Sequence, residues 1–170
     1  MLERFFITDF EEIYNIMCQS FPRDEFRPRE AQRVLFEEEK YRVWGIREKG
    51  KIVSIAAIWE LDDVLFIEHL ATLPEKRSTG LGSVILMELP TITDKPLCLE
   101  VEPPESEITR RRIGFYERNG LCLNLYPYIQ PALAPEQSPV PLLIMTSDEK
   151  IDEQTFLKVK NQLYKYVYKV

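Results

Sequence analysis

One segment of this chain concentrates the backbone chemistry that an anion needs. Arg77-Ser78-Thr79-Gly80-Leu81-Gly82-Ser83 follows an apolar, β-branched stretch and runs into Val84-Ile85-Leu86-Met87. A strand, a glycine loop and a helix start in that order point successive backbone N–H groups into one space, at the positive end of a helix dipole. The glycines let an anion approach the backbone closely, and Arg77 adds a fixed positive charge. A phosphate or pyrophosphate is the natural occupant. The loop is not a Walker A motif, since no Gly-Lys-Ser/Thr ends it, nor a dinucleotide fingerprint, since Ile85 stands where the third glycine would fall. Taken alone, it also reads as an ordinary loop at a helix start.

The elements around this loop follow from periodicity. Phe5 to Thr8 reads as a first strand. Phe10, Ile13, Tyr14 and Met17 recur at helical spacing, with Asp9 as cap, until Phe21-Pro22-Arg23 breaks the run. Pro28 suits the first turn of a second helix, with Ala31, Val34 and Leu35 as its buried face. Tyr41 to Glu48 and Ile52 to Leu61, with Lys49-Gly50-Lys51 between them, make a hairpin. Val64 to Thr72 is a fourth strand, and Gly80 to Leu89 a buried helix ended by Pro90. Leu97, Leu99 and Val101 alternate with Cys98, Glu100 and Glu102 in a fifth strand.

A helix from about Glu105 to Asn119, closed by Gly120, leads to a sixth strand on Leu121, Leu123 and Leu125. The prolines between Pro127 and Pro141 predict an irregular loop. Leu142 to Thr146 is a seventh strand. A last helix begins near Asp152, with Phe156, Val159, Leu163 and Val167 on one face. No repeat or linker interrupts the chain, so residues 1–170 read as one α/β (α+β) domain.

Composition narrows the function. The 170 residues are 45% hydrophobic and 29% charged, with 28 acidic against 22 basic side chains and a net charge of −6. That balance fits a globular domain and repels nucleic acid. No apolar run reaches the roughly 20 residues of a bilayer span, and Met1-Leu2-Glu3-Arg4-Phe5 lacks a signal-peptide core. Cys18, Cys98 and Cys122, all within apolar segments, read as buried free thiols of a reducing cytoplasm, and one histidine gives no zinc spacing. The expectation is a cytoplasmic protein without metal, nucleic acid or membrane partners.

Two motifs and the element order resemble the GNAT N-acetyltransferases. The first is the Arg77-to-Ser83 loop, in the Arg/Gln-x-x-Gly-x-Gly/Ala pattern. The second is Ile113-Gly114-Phe115-Tyr116-Glu117-Arg118-Asn119-Gly120-Leu121, similar to that family's Tyr-Glu-x-x-Gly-Phe helix end. The resemblance covers about residues 3–147 and leaves a helix at about 152–168 as an addition. It implies a mixed, mostly antiparallel sheet of about seven strands flanked by helices. Where many relatives carry Asn and Ala ahead of the tyrosine, this chain has Thr109 and Arg112.

The resemblance also implies a chemistry, in which acetyl-CoA donates its acetyl group to a small-molecule amine by direct attack. Arg77, Ser78, Thr79, Gly80, Leu81, Gly82 and Ser83 would hold the pyrophosphate. Leu70, Ala71 and Thr72 would pair with pantetheine, and an N–H near Leu70 would polarise the thioester. Tyr116 would protonate the departing thiolate from an ordinary pKa of about 10. Glu68, a carboxylate in an apolar strand, would be the general base, its pKa raised by burial. Its other reading is a partner for an arginine or a rim residue. His69 faces the other way and reads as packed. Glu100 and Glu102 would attract a cationic acceptor or merely face solvent, and Tyr126 and Tyr128 would line the acceptor pocket or the core. Arg110, Arg111 and Arg112 read as a solvated face or a contact to phosphates or an anionic acceptor. Two rivals keep the fold: an idle acyl-CoA-binding or sensing module, and an interaction protein with the last helix as dimer contact. A homodimer is the base-rate assembly.

Overall fold

The computed structural model describes residues 1–170. Seven strands form a mixed, mostly antiparallel sheet in the order β1-β2-β3-β4-β5-β7-β6, flanked by five helices. The chain divides into two compact units. One comprises Met1–Glu60 and Ile67–Thr93, the other Leu61–Phe66 and Asp94–Val170.

In the first unit, β1 (Glu3–Phe5), β2 (Tyr41–Glu48) and β3 (Lys51–Glu60) pair antiparallel. The β2–β3 turn is the two residues Lys49 and Gly50, with φ of 49° and 80°. Both lie in the left-handed region that matches strand twist at tight hairpins. β1 ends earlier than the sequence suggests, because Ile7–Asp9 winds into a 3-10 turn. Helix α1 (Phe10–Ser20) buries Phe10, Ile13, Ile16 and Met17. Asp9 does not cap it: its carboxylate instead accepts from the Phe6 N–H at 3.0 Å and pairs with Arg47 at 2.9 Å. Helix α2 (Arg29–Val34) buries Gln32, with Leu35 just beyond it, while Ala31 and Val34 are exposed. One short turn follows Pro28, and Gln32 is drawn inward by a hydrogen bond to the Tyr41 hydroxyl at 3.1 Å. β4 (Leu65–Thr72), of which Ile67–Thr72 belong to this unit, leads to helix α3 (Leu81–Glu88), which buries Ile85 and Leu86 but leaves Met87 outside, so it is less enclosed than its apolar sequence implies.

In the second unit, β5 (Leu97–Val101) and β6 (Leu121–Gln130) both pair antiparallel with β7 (Val140–Ser147). β6 runs on through Pro127, where an irregular loop was expected. It is an edge strand with a register shift between Asn124 and Tyr128. An edge or a bulge is where a proline's missing N–H breaks no ladder. Buried Asn124 secures the shift by donating to the Ile144 carbonyl and accepting from the Ile151 N–H. Pro141 likewise belongs to β7, so the irregular stretch is only residues 131–139. Helix α4 (Glu107–Arg118) starts on a Ser106/Thr109 capping box and is followed by left-handed Gly120. Helix α5 (Glu153–Gln162), capped by Asp152, continues as a π-helical segment (Leu163–Tyr168). Phe156, Val159, Leu163 and Val167 are all buried, as their spacing requires. No helix is long and apolar enough to cross a membrane. Cys98 is buried, but Cys18 is exposed and Cys122 half-buried, against the expectation of three buried thiols.

Candidate active site

The loop after β4 turns through left-handed backbone and is open at its first glycine. Pro74–Lys76 makes a 3-10 turn, Ser78 and Gly80 then take φ of 63° and 87°, and α3 begins. At Gly80 a side chain would find space but a strained backbone. The first backbone bond of α3 is Val84 N–H to the Gly80 carbonyl at 3.0 Å. From Ser78 to Ser83, no backbone N–H donates within the protein, and no side chain caps the helix. These six donors surround the positive end of a helix. Thr79 folds its hydroxyl back onto the Lys76 carbonyl. Arg77 is exposed, and its guanidinium reaches the Thr72 carbonyl at 3.3 Å and the Gln19 carbonyl at 3.5 Å.

Upstream, Leu70 and Thr72 are half-buried and Ala71 is buried. The Ser54 hydroxyl donates to the Ala71 carbonyl at 3.0 Å and lies 2.8 Å from the Thr72 hydroxyl, fixing the end of β4 against β3.

Glu68 corrects the expectation of a carboxylate with raised proton affinity. Its side chain is 4% exposed, and it accepts from Arg27 Nη1 at 2.6 Å and from Trp59 Nε1 at 2.7 Å. Burial pushes its carboxyl up, but the Arg27 guanidinium, His69 and the two hydrogen bonds outweigh that and leave it below the usual carboxylate range. The arginine is 41 residues away in sequence. No spacing rule reaches that far. The available hint was an arginine set inside the Pro22–Pro28 break.

His69 is buried, as expected, but not inert. Its ring lies 5.0 Å from Phe21, and Nε2 donates to the Glu25 carbonyl at 2.8 Å. The carbonyl can only accept, so Nε2 carries the hydrogen and Nδ1 a lone pair, which has no partner. Desolvation holds this imidazole below its ordinary pKa, Glu68 and the Glu25 carbonyl opposing and Arg27 assisting.

In the second unit, the half-buried Tyr116 ring makes an edge contact with Phe115 at 5.3 Å, and its hydroxyl has no hydrogen-bond partner in the protein. Desolvation pushes its pKa up to about 12, against the pull of Arg112, so the ordinary value expected from sequence does not hold. Glu100 accepts from the Tyr128 hydroxyl at 2.5 Å and from the Tyr168 hydroxyl at 2.7 Å and 2.8 Å. Tyr126 stacks on Phe156 at 4.9 Å and donates to the Ile151 carbonyl. Both tyrosines thus pack against α5 and its extension. Tyr168 was missed by the sequence reading, though it stands four residues after Tyr164 on a helix. Glu102 lies 3.7 Å from Arg112, Arg111 pairs with Glu107, and Arg110 donates to the Pro104 carbonyl, so this basic run is tied to its own surroundings. No three His, Cys, Asp or Glu side chains gather where a metal could be held.

Comparison with known proteins gives the family and the fold. The model of the acetyltransferase (GNAT) family matches residues 10–121. The Bacillus subtilis protein YjbC, provisionally assigned as an acetyltransferase, is 24% identical over 158 residues, spanning 91% of this chain and 80% of its own. A solved structure from Bacteroides thetaiotaomicron, provisionally a GNAT acetyltransferase, superposes with a TM-score of 0.88 at 26% identity, covering 100% of this chain and 99% of its own. The Thermoplasma acidophilum PaiA N-acetyltransferase, solved with coenzyme A, shares the fold at a TM-score of 0.64 and 13% identity, over 88% of this chain and 98% of its own.

Proposed function

Because this chain belongs to the acetyltransferase (GNAT) family, we propose that it transfers an acetyl group from acetyl-CoA to a primary amine of a small molecule. The observation that carries the reading is the run of six unused N–H donors from Ser78 to Ser83 at the head of α3, with Arg77 beside it. Those groups suit a pyrophosphate, and the coenzyme A complex of the PaiA relative supports the choice of ligand. Acetyl-CoA supplies the activated thioester. Leu70, Ala71 and Thr72 present backbone for its pantetheine arm, and an N–H near Leu70 polarises the carbonyl.

Tyr116 remains protonated at neutral pH. A phenol near 12 gives its proton to a thiolate near 8.5 only uphill. Its role is therefore to donate a hydrogen bond to the sulfur as charge grows there. Glu68, with both oxygens in use, acts as a positioning residue for Arg27 rather than as the base. That occupied carboxylate also favours a second reading, an acyl-CoA-binding module without turnover.

Calorimetric titration with acetyl-CoA, against CoA and ATP, tests the cofactor. Gly80→Asp and Gly82→Asp each place a carboxylate among the loop donors and should weaken acetyl-CoA binding by about 10- to 100-fold. Unchanged affinity would remove the loop from the reading. Turnover with a panel of amines then separates enzyme from sensor.

A further inference from the structure

Between α1 and α2 the chain does more than connect two helices. Arg23–Glu25 forms a 3-10 turn, and residues 22–27 bind β4 at two adjacent positions. Successive side chains on a strand point to opposite faces. Arg27 grips Glu68 on one face, and the Glu25 carbonyl accepts from His69 on the other. Phe21 lies against the same imidazole, and Phe26 is buried edge-on to Tyr14 at 5.7 Å. Gln32 fixes the Arg27 end by accepting from its N–H and donating to Tyr41. At the other end, Arg77 of the anion loop reaches Gln19 and Ser20, the residues that feed this segment.

We infer that residues 22–27 are a strap held on both faces of β4, and that His69 is the positioning residue whose hold on it governs how an amine reaches the acyl group. The inference rests on the acyl-transfer reading, which puts Leu70, next to His69, at the thioester. Two observations carry it. The strap is anchored on the two residues that precede Leu70, and the unpartnered Nδ1 makes one of those anchors conditional. Protonation would create a buried N–H at Nδ1 with no acceptor, a costly state that is relieved if the strap lifts and the ring reaches water. The charges acting on the ring are Glu68, which favours protonation, and Arg27, which opposes it.

His69 is the single histidine of the chain, so its NMR titration needs no assignment. Amide exchange at residues 21–28 and KM for amine and acetyl-CoA would be followed from about pH 5.5 to about pH 8, around the ordinary histidine range. In the unaltered protein, strap exchange and amine KM should rise together as His69 protonates. His69→Phe keeps a ring on Phe21 but cannot donate. It should raise both about tenfold at every pH, with acetyl-CoA KM nearly unchanged. His69→Gln keeps a donor and cannot titrate, so it should hold low strap exchange, corrected for the intrinsic amide rate, and leave amine KM with only the pH dependence of the amine's own protonation. If His69→Phe does not fold, the unaltered protein and His69→Gln decide alone. Strap exchange that ignores the histidine's titration, or faster exchange with an unmoved amine KM, overturns the inference. Failure of the unaltered protein to bind acetyl-CoA overturns the acyl-transfer reading instead, while exchange still reads the strap.

Discussion

A carboxylate that takes a proton from a substrate needs an accessible lone pair and some proton affinity. Glu68 offers little of either, because Arg27 and Trp59 occupy its oxygens and hold its pKa down. Glu68→Gln should therefore leave the pH–rate profile unmoved above about pH 5, since the carboxylate is already charged there. The same substitution removes the negative charge from a buried ion pair with Arg27 and should destabilise the fold by about 3–5 kcal/mol in denaturant titration. A shifted profile with intact stability would restore Glu68 as the base. Tyr116 has the opposite situation, a hydroxyl with no partner and a firmly held proton. Tyr116→Phe removes a hydrogen-bond donor to the developing thiolate and should lower kcat by roughly 10²-fold while acetyl-CoA binding by calorimetry stays put.

At the scale of elements, legibility in the sequence tracked how local the cause was. The α5 stripe, the Lys49-Gly50 turn and the loop from Arg77 to Ser83 were readable because each is set within a few residues. Pro127 within β6 was not, because tolerance of a proline depends on the strand lying at an edge, a property of the sheet order. Ala31 and Val34 misled for a similar reason: α2 turns its glutamine inward to meet Tyr41. At the site, the glycine turn before α3 and an arginine partner for Glu68 were both readable, but which arginine was not, since Arg27 comes from another part of the chain. The α5 extension is an element with its own energetic role, for Leu163 is fully buried and Tyr168 reaches Glu100 beyond it. Leu163→Ala should cost about 2–5 kcal/mol by thermal or chemical unfolding.

For the molecule as a whole, pH is the revealing variable. His69 and Glu68 both have folded pKa values below their unfolded ones of 6.5 and 4.5. In each case the unfolded chain binds the proton more readily, so stability falls as pH drops. The histidine contribution is complete above about pH 6.5 and is lost below it, and the Glu68 contribution begins to go below about pH 4.5. Urea midpoints measured across that range should fall in two stages, and His69→Gln should erase the upper one. A midpoint flat from about pH 7 to about pH 5 would contradict the burial of a neutral imidazole.

Trp59 is buried, and its indole N–H donates to the same carboxylate that grips Arg27. Indole emission is sensitive to the polarity and charge around the ring nitrogen, so the protein carries a built-in optical gauge of β4. With Trp44→Phe removing the other indole of the chain, light from Trp59 would record, in real time and without a label, each moment at which Arg27 lets go of Glu68.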